Sequence, residues 1–256
     1  MVAVNGKELA LEQHGDGPAL VMVHGLGGTS NVFHAQAGLL SRWFKVIRLD
    51  LEGSGRSALK GNLSIEGYTA DVIAVMDQLG ATEAHLVGHS MGTIVCQHIA
   101  AAHPTRIKSL ALLGPLAEPP EPARAAIRTR GETARKDGMT GIADTLVNVG
   151  TSAETKAHRP AAAAFVREIL MRQSAAGYAA TCDALAAAKS ADLAKITCPT
   201  LLITGDEDAT SPPPAVRRLC QSIKGAAMKV LSGCGHWTPI EKPAEVNAAL
   251  VNFYFG

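Results

Sequence analysis

The pentapeptide Gly88-His89-Ser90-Met91-Gly92 contains the residue types that point most directly to chemistry. It follows a short apolar stretch, 84–87, and precedes a stretch with helical character, 91–103. A G-x-S-x-G pentapeptide between a strand and a helix holds its serine in a strained turn, and the flanking glycines let that turn close. The hydroxyl is then presented beside a helix N-terminus, where backbone N–H groups favour negative charge. The pattern predicts that Ser90 is a nucleophile.

A serine nucleophile requires two partners, which later loops of the chain supply. A base must remove the hydroxyl proton, and an acid must fix the tautomer of that base and stabilise its charged form. One strand-like segment leads into Gly205-Asp206-Glu207-Asp208, and a later one leads into Gly233-Cys234-Gly235-His236. This is the order acid, then base, that such a serine motif predicts. His236 is therefore the expected base, and the three acidic residues of the first loop are candidates for the acid.

A fourth element lies upstream of the serine. The glycine-rich segment His24-Gly25-Leu26-Gly27-Gly28 follows the apolar run 19–23. Such a loop can direct a backbone N–H group toward a developing oxyanion. Because Met91 directly follows the nucleophile, the amides of Leu26 and Met91 are the natural pair of oxyanion donors. The four elements together indicate nucleophilic serine catalysis far more specifically than the pentapeptide alone.

Regular secondary structure must position these loops, and the chain alternates strand-like with helical segments. Continuous apolar runs, typical of strands buried on both faces of a parallel sheet, occur at 19–23, 44–49, 84–87, 107–113, 200–204 and 227–231. Two shorter strands, 2–4 and 8–13, are expected on either side of the turn signal Asn5-Gly6. Helical patterns lie at 31–42, 65–79, 91–103, 212–223 and 243–254. The alternation predicts an α/β fold with a mostly parallel sheet and right-handed crossovers.

One long segment interrupts the alternation. After the strand at 107–113, a proline-rich stretch leads into helical patterns at 123–136, 141–148, 160–172 and 177–188, and strand character returns only at 196. This predicts a core domain, 1–115 with 196–256, and a helical cap (lid) inserted at 116–195. Because open α/β sheets bind ligands at the carboxyl ends of their strands, we expect the insertion to cover that edge.

The composition excludes several other classes. The 24 basic and 23 acidic side chains nearly balance, and no basic run predicts a nucleic-acid partner. The N-terminus lacks the pattern of a signal peptide, and no apolar segment reaches membrane-spanning length, so we expect a cytoplasmic protein without a membrane partner. The five scattered cysteines have no C-x-x-C spacing, so neither a disulfide framework nor a metal site is expected. The sequence gives no indication of the oligomeric state.

On its motifs the chain resembles the α/β-hydrolase superfamily from end to end. The resemblance implies an α/β-hydrolase fold, a Ser-His-Asp triad, a small-molecule substrate, and no metal or organic cofactor. It also implies that the acid is Asp208, three residues after the loop glycine, with Asp206 and Glu207 as alternatives. His24, His89 and Asp50 then belong to structural signatures and organise loops. The matching motifs are 24–28, Asp50-Leu51-Glu52-Gly53-Ser54-Gly55-Arg56-Ser57, 88–92, 205–208 and Gly235-His236.

A narrower resemblance concerns the substrate. The segments 165–173 and 177–186 resemble the lid of 3-oxoadipate enol-lactonases and related ester hydrolases. Trp237 and Asn31 are more similar to carbon–carbon bond hydrolases of aromatic-ring breakdown, although those enzymes usually carry a longer glycine loop. The resemblance implies a serine hydrolase of a carboxylic ester or an enol-lactone-like lactone that acts through an acyl-enzyme. The alternatives are a carbon–carbon bond hydrolase of a ring-fission product, a cofactor-free perhydrolase, and a ligand-binding receptor without turnover.

Few substrate-contacting residues can be assigned within the insertion. Arg128, Arg167 or Arg172 could meet a substrate carboxylate, which an enol-lactone would require. Arginines on amphipathic helices are, however, usually solvated. Trp237 next to His236 is interpreted either as pocket wall or as packing. We take Arg172 and Trp237 as the candidate pocket residues.

Overall fold

The computed structural model describes residues 1–256 and is built around nine β-strands. Strands β3 to β9 form one seven-stranded sheet in the order β3-β5-β4-β6-β7-β8-β9, and β1 pairs with β2 as a separate antiparallel hairpin. Within the large sheet every neighbouring pair is parallel except β3 with β5. The predicted α/β fold with a mostly parallel sheet is confirmed. The strands are β1 Val2–Val4, β2 Lys7–Leu9, β3 Leu11–His14, β4 Ala19–Val23, β5 Lys45–Leu49, β6 Ala84–His89, β7 Ile107–Leu113, β8 Thr200–Gly205 and β9 Ala227–Leu231.

Eleven α-helices accompany the strands. None of them combines the length and the apolar composition that a membrane crossing requires. The predicted helix at 31–42 begins as a 3-10 turn, Ser30–Phe33. Two short helices, Ala153–His158 and Thr238–Glu241, lie where no helix was predicted, because both are too short to show a helical period. The helices are α1 His34–Leu40, α2 Ile65–Gln78, α3 Met91–Ala102, α4 Glu121–Asp137, α5 Thr140–Gly150, α6 Ala153–His158, α7 Pro160–Met171, α8 Ala175–Ala187, α9 Pro213–Gln221, α10 Thr238–Glu241 and α11 Pro243–Phe255.

The central strands are buried along nearly their whole length. Every residue of β8 is buried, as is every residue of β4 after the first. Parallel strands covered on both faces present apolar side chains in both directions. This is why the sequence shows continuous apolar runs here rather than an alternation of apolar and polar residues.

The order of the strands brings two functional loops together. From β4 the chain moves outward to β5, then returns across β4 to β6, and β7, β8 and β9 follow in the opposite direction. The register pairs Val23 with Gly88, so the loops that leave β4 and β6 are neighbours at the carboxyl edge of the sheet. Ligands of open α/β sheets bind at such a reversal.

The single strand predicted at 8–13 is divided at Ala10. Here the carbonyl oxygen of Ala10 accepts a hydrogen bond from the Asp50 amide, 2.9 Å, and its own amide donates to the hydroxyl of Ser57, 2.9 Å. The chain therefore leaves the hairpin with β1 and joins the large sheet beside β5. The division depends on partners far along the chain.

The helical segment, residues 116–195, connects β7 to β8. Its helices α4 and α8 pack closely, because a Cβ on Gly131 would lie 3.1 Å from the Cβ of Cys182. The segment also contacts loops at the carboxyl edge of the sheet. A Cβ on Gly177 would lie 2.0 Å from the carbonyl oxygen of Gly53, and a Cβ on Gly27 would lie 3.2 Å from the ring of Tyr178. Glycine is therefore required at these contact points.

Candidate active site

Ser90 occupies a strained turn between β6 and α3. Its φ of 52° and ψ of −123° place it outside the conformations that side-chain-bearing residues prefer, at a cost of about 1–3 kcal/mol. A Cβ on Gly88 would lie 2.7 Å from the carbonyl oxygen of Gly92, and a Cβ on Gly92 would lie 2.1 Å from that of Val23. The Ser90 amide donates to the carbonyl oxygen of Leu113, 2.9 Å, which fixes the turn to β7. Both glycines of the pentapeptide are thus required by space.

A continuous hydrogen-bonded chain joins the serine to a histidine and an aspartate. The Nε2 atom of His236 lies 2.8 Å from the hydroxyl oxygen of Ser90, and its Nδ1 atom lies 2.8 Å from the carboxylate of Asp208. His236 is only 8% exposed and Asp208 only 2%. The other carboxylate oxygen of Asp208 accepts from the amides of Thr210 and Ser211, 2.9 and 2.8 Å, which orients the group. The structure therefore brings the three predicted residues together.

Opposing effects set the two pKa values in this chain. Burial raises the pKa of Asp208, but the charge and hydrogen bond of His236 and the two backbone amides outweigh it, so the carboxyl pKa is lowered. Burial likewise lowers the pKa of His236, and the charge of Arg130 lowers it a little further. The charge and hydrogen bond of Asp208 outweigh both effects, so the pKa of His236 is raised. Asp208 is therefore ionised at neutral pH and accepts from Nδ1–H. The Nε2 of neutral His236 is free to accept the proton of Ser90.

The other two acidic residues of the loop have different partners. The carboxylate of Asp206 accepts from the amide of Cys234, 3.1 Å, and its backbone amide donates to the carbonyl oxygen of Leu231 at the end of β9, 2.9 Å. Glu207 accepts from the amide of Ala153 in the helical segment, 2.8 Å. Neither carboxylate contacts His236, so of the three candidates only Asp208 is placed against the histidine.

The amides of Leu26 and Met91 both lie beside Ser90. A Cβ on Gly25 would lie 2.6 Å from the Cβ of Ser90 and 3.1 Å from the Met91 nitrogen, so the loop after β4 presses directly on the serine turn. The Leu26 amide donates to no acceptor within the protein. Met91 is the first residue of α3, where an amide has no partner within the helix. Both amides are therefore free donors close to Ser90, and their role as oxyanion donors stays a prediction.

His24 and Asp50 organise the loops around the site. Nδ1–H of His24 donates to the Gly25 carbonyl oxygen, 2.8 Å, and its Nε2 accepts from the Leu51 amide, 2.9 Å. Asp50 accepts from the amide of Ser30, 2.7 Å. These contacts link the loop after β4 to the loop after β5.

A cavity of about 800 Å³ opens beside the serine and the histidine. Its walls come both from core loops, at Leu26, and from the helical segment, at Ile127 and Leu146. Trp237 forms part of the wall and also stacks on His89, with ring centroids 5.3 Å apart, so both interpretations of this residue hold.

The structure corrects the placement of Arg172. Its side chain is 71% exposed, lies 3.9 Å from Glu168, and does not line the cavity. Arg167 is also outside the cavity, where it pairs with Asp144. Arg172 lies at the C-terminal end of α7, on a side of the helix that faces solvent. The arginine of the segment that does line the cavity is Arg130 on α4, which sequence reasoning missed because its helix carries several arginines.

Sequence reasoning also missed Glu241, which holds the loop of His236. This fully buried carboxylate accepts four hydrogen bonds, two from the amides of Gly235 and Trp237 and two from the amide of Ser152 and the hydroxyl of Thr155. An acidic residue shortly after the histidine was the available signal. The carbonyl oxygen of Gly150 in the helical segment accepts from the His236 amide itself, 2.8 Å.

Comparison with known proteins identifies the fold family and related hydrolases. Residues 18–243 match the sequence model of the alpha/beta hydrolase fold. The chain is 29% identical to 3-oxoadipate enol-lactonase 2 of Acinetobacter baylyi, over 92% of this chain and 88% of that protein. It is 26% identical to the (E)-2-((N-methylformamido)methylene)succinate hydrolase of the same organism, over 93% and 90%. The crystal structure of the enol-lactonase from Burkholderia xenovorans LB400 is similar with a TM-score of 0.93, 32% identity, and coverage of 100% and 99%.

Proposed function

The chain belongs to the alpha/beta hydrolase fold family and is a hydrolase, and from this premise we propose that it cleaves a carboxylic ester or lactone by nucleophilic serine catalysis. The observation that carries the proposal is the unbroken hydrogen-bonded chain from Ser90 through His236 to Asp208, in which Ser90 and His236 line a large cavity. The names of the similar enol-lactonases support a small, lactone-like substrate.

In the first half of the reaction, Ser90 attacks the carbonyl carbon of the substrate. Nε2 of His236, 2.8 Å from the hydroxyl oxygen, takes the proton, and the imidazolium is stabilised by Asp208. The negative charge that develops on the carbonyl oxygen is met by the amides of Leu26 and Met91. Loss of one such donor typically costs two to three powers of ten in rate, or about 2.7–4 kcal/mol. The intermediate then collapses, and His236 gives its proton to the leaving alkoxide or enolate oxygen.

The second half returns the free enzyme. His236 removes a proton from water, and the resulting hydroxide attacks the acyl carbon bound to Ser90. The C–O bond to the serine breaks, the serine oxygen regains its proton from His236, and the carboxylic acid product leaves. Every proton in this cycle passes through Nε2 of one histidine.

The helical segment 116–195 is proposed to act as a lid over the reacting groups. It supplies Ile127, Leu146 and other apolar parts of the cavity wall, and it contacts the loop after β4 at Gly27. A wall of this kind excludes water and orients the acyl group.

The five cysteines, all unpaired and four of them buried, are consistent with the proposed cytoplasmic location.

The test is labelling combined with turnover. A fluorophosphonate should modify Ser90, located by mass spectrometry, and 4-nitrophenyl acetate and enol-lactones should be hydrolysed. Ser90→Ala should abolish both, because losses for such residues reach the order of a millionfold. Ser41→Ala, at a half-buried serine outside the cavity wall, is the matched control. Turnover by Ser90→Ala above about a hundredth of wild type would refute the assignment.

The same assay separates the alternatives. Preferential cleavage of a ring-fission dienoate would identify a carbon–carbon bond hydrolase, and peroxide-dependent acyl transfer would identify a perhydrolase. Ligand binding without labelling or turnover would identify a receptor. Each of these outcomes would overturn the proposed function.

A further inference from the structure

Among the charged side chains that line the cavity, Arg130 has no partner. Apart from His236, two more charged residues line the cavity, Glu118 and Arg218. The carboxylate of Glu118 lies 2.9 Å from the guanidinium of Arg124, and Arg218 is exposed to solvent. Arg130 is half-buried, and its Nε atom is enclosed by the protein and makes no hydrogen bond. No carboxylate lies within ion-pair distance of its guanidinium, so its charge is compensated by nothing in the chain.

Two of the other three arginines on the same helix are paired. Arg124 binds Glu118, and Arg135 binds Asp183 on α8. The third, Arg128, also lacks an ion pair, but it is exposed and lies outside the cavity wall, so Arg130 is the unpaired arginine of α4 that lines the cavity. Buried charges are normally paired, because an uncompensated one is costly. Arg130 is only half-buried, so its guanidinium is accessible from the cavity that it lines and is available to an anion that enters there.

A second unpaired donor lies in the same wall. The hydroxyl of Tyr178 on α8 is buried beside the guanidinium of Arg130 and the thiol of Cys182, but it makes no well-aligned hydrogen bond to either. Burial raises the pKa of Tyr178, against an opposing effect of Arg130, so the hydroxyl keeps its proton and acts as a donor. The ring of Tyr178 packs on Gly27, in the loop that carries the Leu26 amide. Arg130 and Tyr178 therefore stand on the side of the cavity next to the proposed oxyanion donors.

The two donors line the same cavity as the reacting groups. Arg130, Tyr178, Ser90 and His236 all line one continuous cavity. The positive charge of Arg130 also acts on His236, opposing the larger influence of Asp208 on the histidine. An anion bound at Arg130 would lie in the same cavity as the carbonyl carbon under attack.

We propose that Arg130 and Tyr178 form an anion-binding subsite that holds a carboxylate group of the ester or lactone while Ser90 attacks its carbonyl carbon. A guanidinium offers a planar fork of N–H groups that matches a carboxylate, and these charge-assisted bonds are stronger than neutral ones. The rest of the cavity wall is mainly apolar, so the subsite would favour substrates with one terminal carboxylate. This inference rests on the proposed hydrolysis.

The test compares 4-nitrophenyl hydrogen adipate with 4-nitrophenyl hexanoate, which have acyl chains of equal length and differ only in the terminal group. The ratio of their kcat/KM values, after subtraction of spontaneous hydrolysis, measures the preference for a carboxylate. We expect wild type to favour the adipate ester and Arg130→Gln to lower the ratio about tenfold to hundredfold. Arg130→Lys should retain part of the preference, because it keeps the charge but loses the fork. Tyr178→Phe should cause a smaller loss.

Two matched variants act as controls. Arg128→Gln removes an exposed arginine from the same helix and should leave the ratio unchanged. Arg218→Gln removes the exposed arginine of the cavity rim and should change it less than Arg130→Gln. An unchanged ratio in Arg130→Gln, or an equal loss in either control, would overturn the subsite.

A binding measurement separates this inference from the proposed function. Calorimetric titration of adipate into Ser90→Ala should give binding that weakens about tenfold or more when Arg130→Gln is added. If neither ester is turned over but adipate binds through Arg130, the hydrolase proposal fails and the anion subsite stands. If both esters are hydrolysed with a ratio independent of Arg130, the subsite alone fails.

Discussion

The substitution Glu241→Gln tests how the loop after β9 is held in place. In the wild-type protein one carboxylate oxygen of Glu241 accepts from Ser152, Thr155 and Gly235, and the other accepts from the amide of Trp237. A carboxylate accepts at both oxygens, whereas a glutamine amide has one acceptor oxygen and one NH₂ donor. Whichever way the amide turns, at least one donor of the protein would face another donor.

The expected loss of stability follows from these four bonds. With the amide oxygen at the more heavily used position, three hydrogen bonds persist but lose charge assistance, at about 1 kcal/mol each. The bond to Trp237 is lost and leaves a buried N–H group unpaired, at about 1–3 kcal/mol. The free energy of unfolding should therefore fall by about 5 kcal/mol, a large part of the roughly 5–15 kcal/mol that stabilises a domain.

Catalysis should fall together with stability. Gly235 and Trp237 flank His236 directly, and their amides are two of the four donors. A displacement of about 1 Å in a catalytic group can cost about a hundredfold in rate. We therefore expect kcat for ester hydrolysis to fall by about that factor, measured per folded molecule.

Urea unfolding followed by circular dichroism gives the stability, and steady-state hydrolysis at zero urea gives kcat. Glu245→Gln, at an exposed carboxylate on α11, is the matched control and should change stability by no more than about 0.5 kcal/mol. If Glu241→Gln unfolds at the same urea concentration as wild type and keeps its kcat, the carboxylate does not hold the loop.

Asp208→Asn should lower kcat by roughly four powers of ten, because Asp208 contacts Nδ1 of His236. Asp206→Asn should stay within about tenfold of the wild-type kcat, because Asp206 binds the Cys234 amide instead. A reversed ranking of the two measured rates would contradict the assignment of the acid. The value of kcat/KM should rise with pH through an apparent pKa above about 6.5, because the pKa of His236 is raised and this base works only when unprotonated. A midpoint below that value would contradict the role of His236. Gly92→Ala should lower the free energy of unfolding, measured in urea, by about 3 kcal/mol or more, because the added Cβ would collide with the backbone of Val23. Gly38→Ala is the control, because the added Cβ would enter open space, and it should be neutral or slightly stabilising.

Much of the fold could be predicted because its causes are local. The continuous apolar runs of β4 and β7 are enough to locate buried parallel strands, and both strands have the predicted bounds. The serine turn is equally local, since Gly88 and Gly92 are required by contacts within a few residues and with the adjacent strand. Features that depend on distant partners were missed, such as the division of the chain at Ala10, which is fixed by Asp50 and Ser57.

The arginines of the helical segment show why substrate contacts are harder to predict. Arg130 lies on a helix rich in alanine and charged residues, with few large apolar side chains to fix its rotation, and Arg172 directly follows the last residue of α7, where the chain turns away. The orientation of α4 is set instead by its close contact with α8, where Gly131 meets Cys182. That contact leaves the preceding residue, Arg130, facing the cavity. No spacing rule within α4 alone contains this information.

The helical segment and the histidine loop also depend on each other, which limits how far the segment can be regarded as a separate lid. The Gly150 carbonyl oxygen accepts from the His236 amide, and the Ser152 amide binds the same buried carboxylate that holds the residues on either side of the histidine. A change in the position of the end of α5 would therefore move the proposed base as well as the cavity wall. Sequence changes near Gly150 should alter rate and selectivity together. Changes at Arg130, which makes no hydrogen bond to the histidine loop and reaches His236 only through its charge, should alter selectivity more than rate.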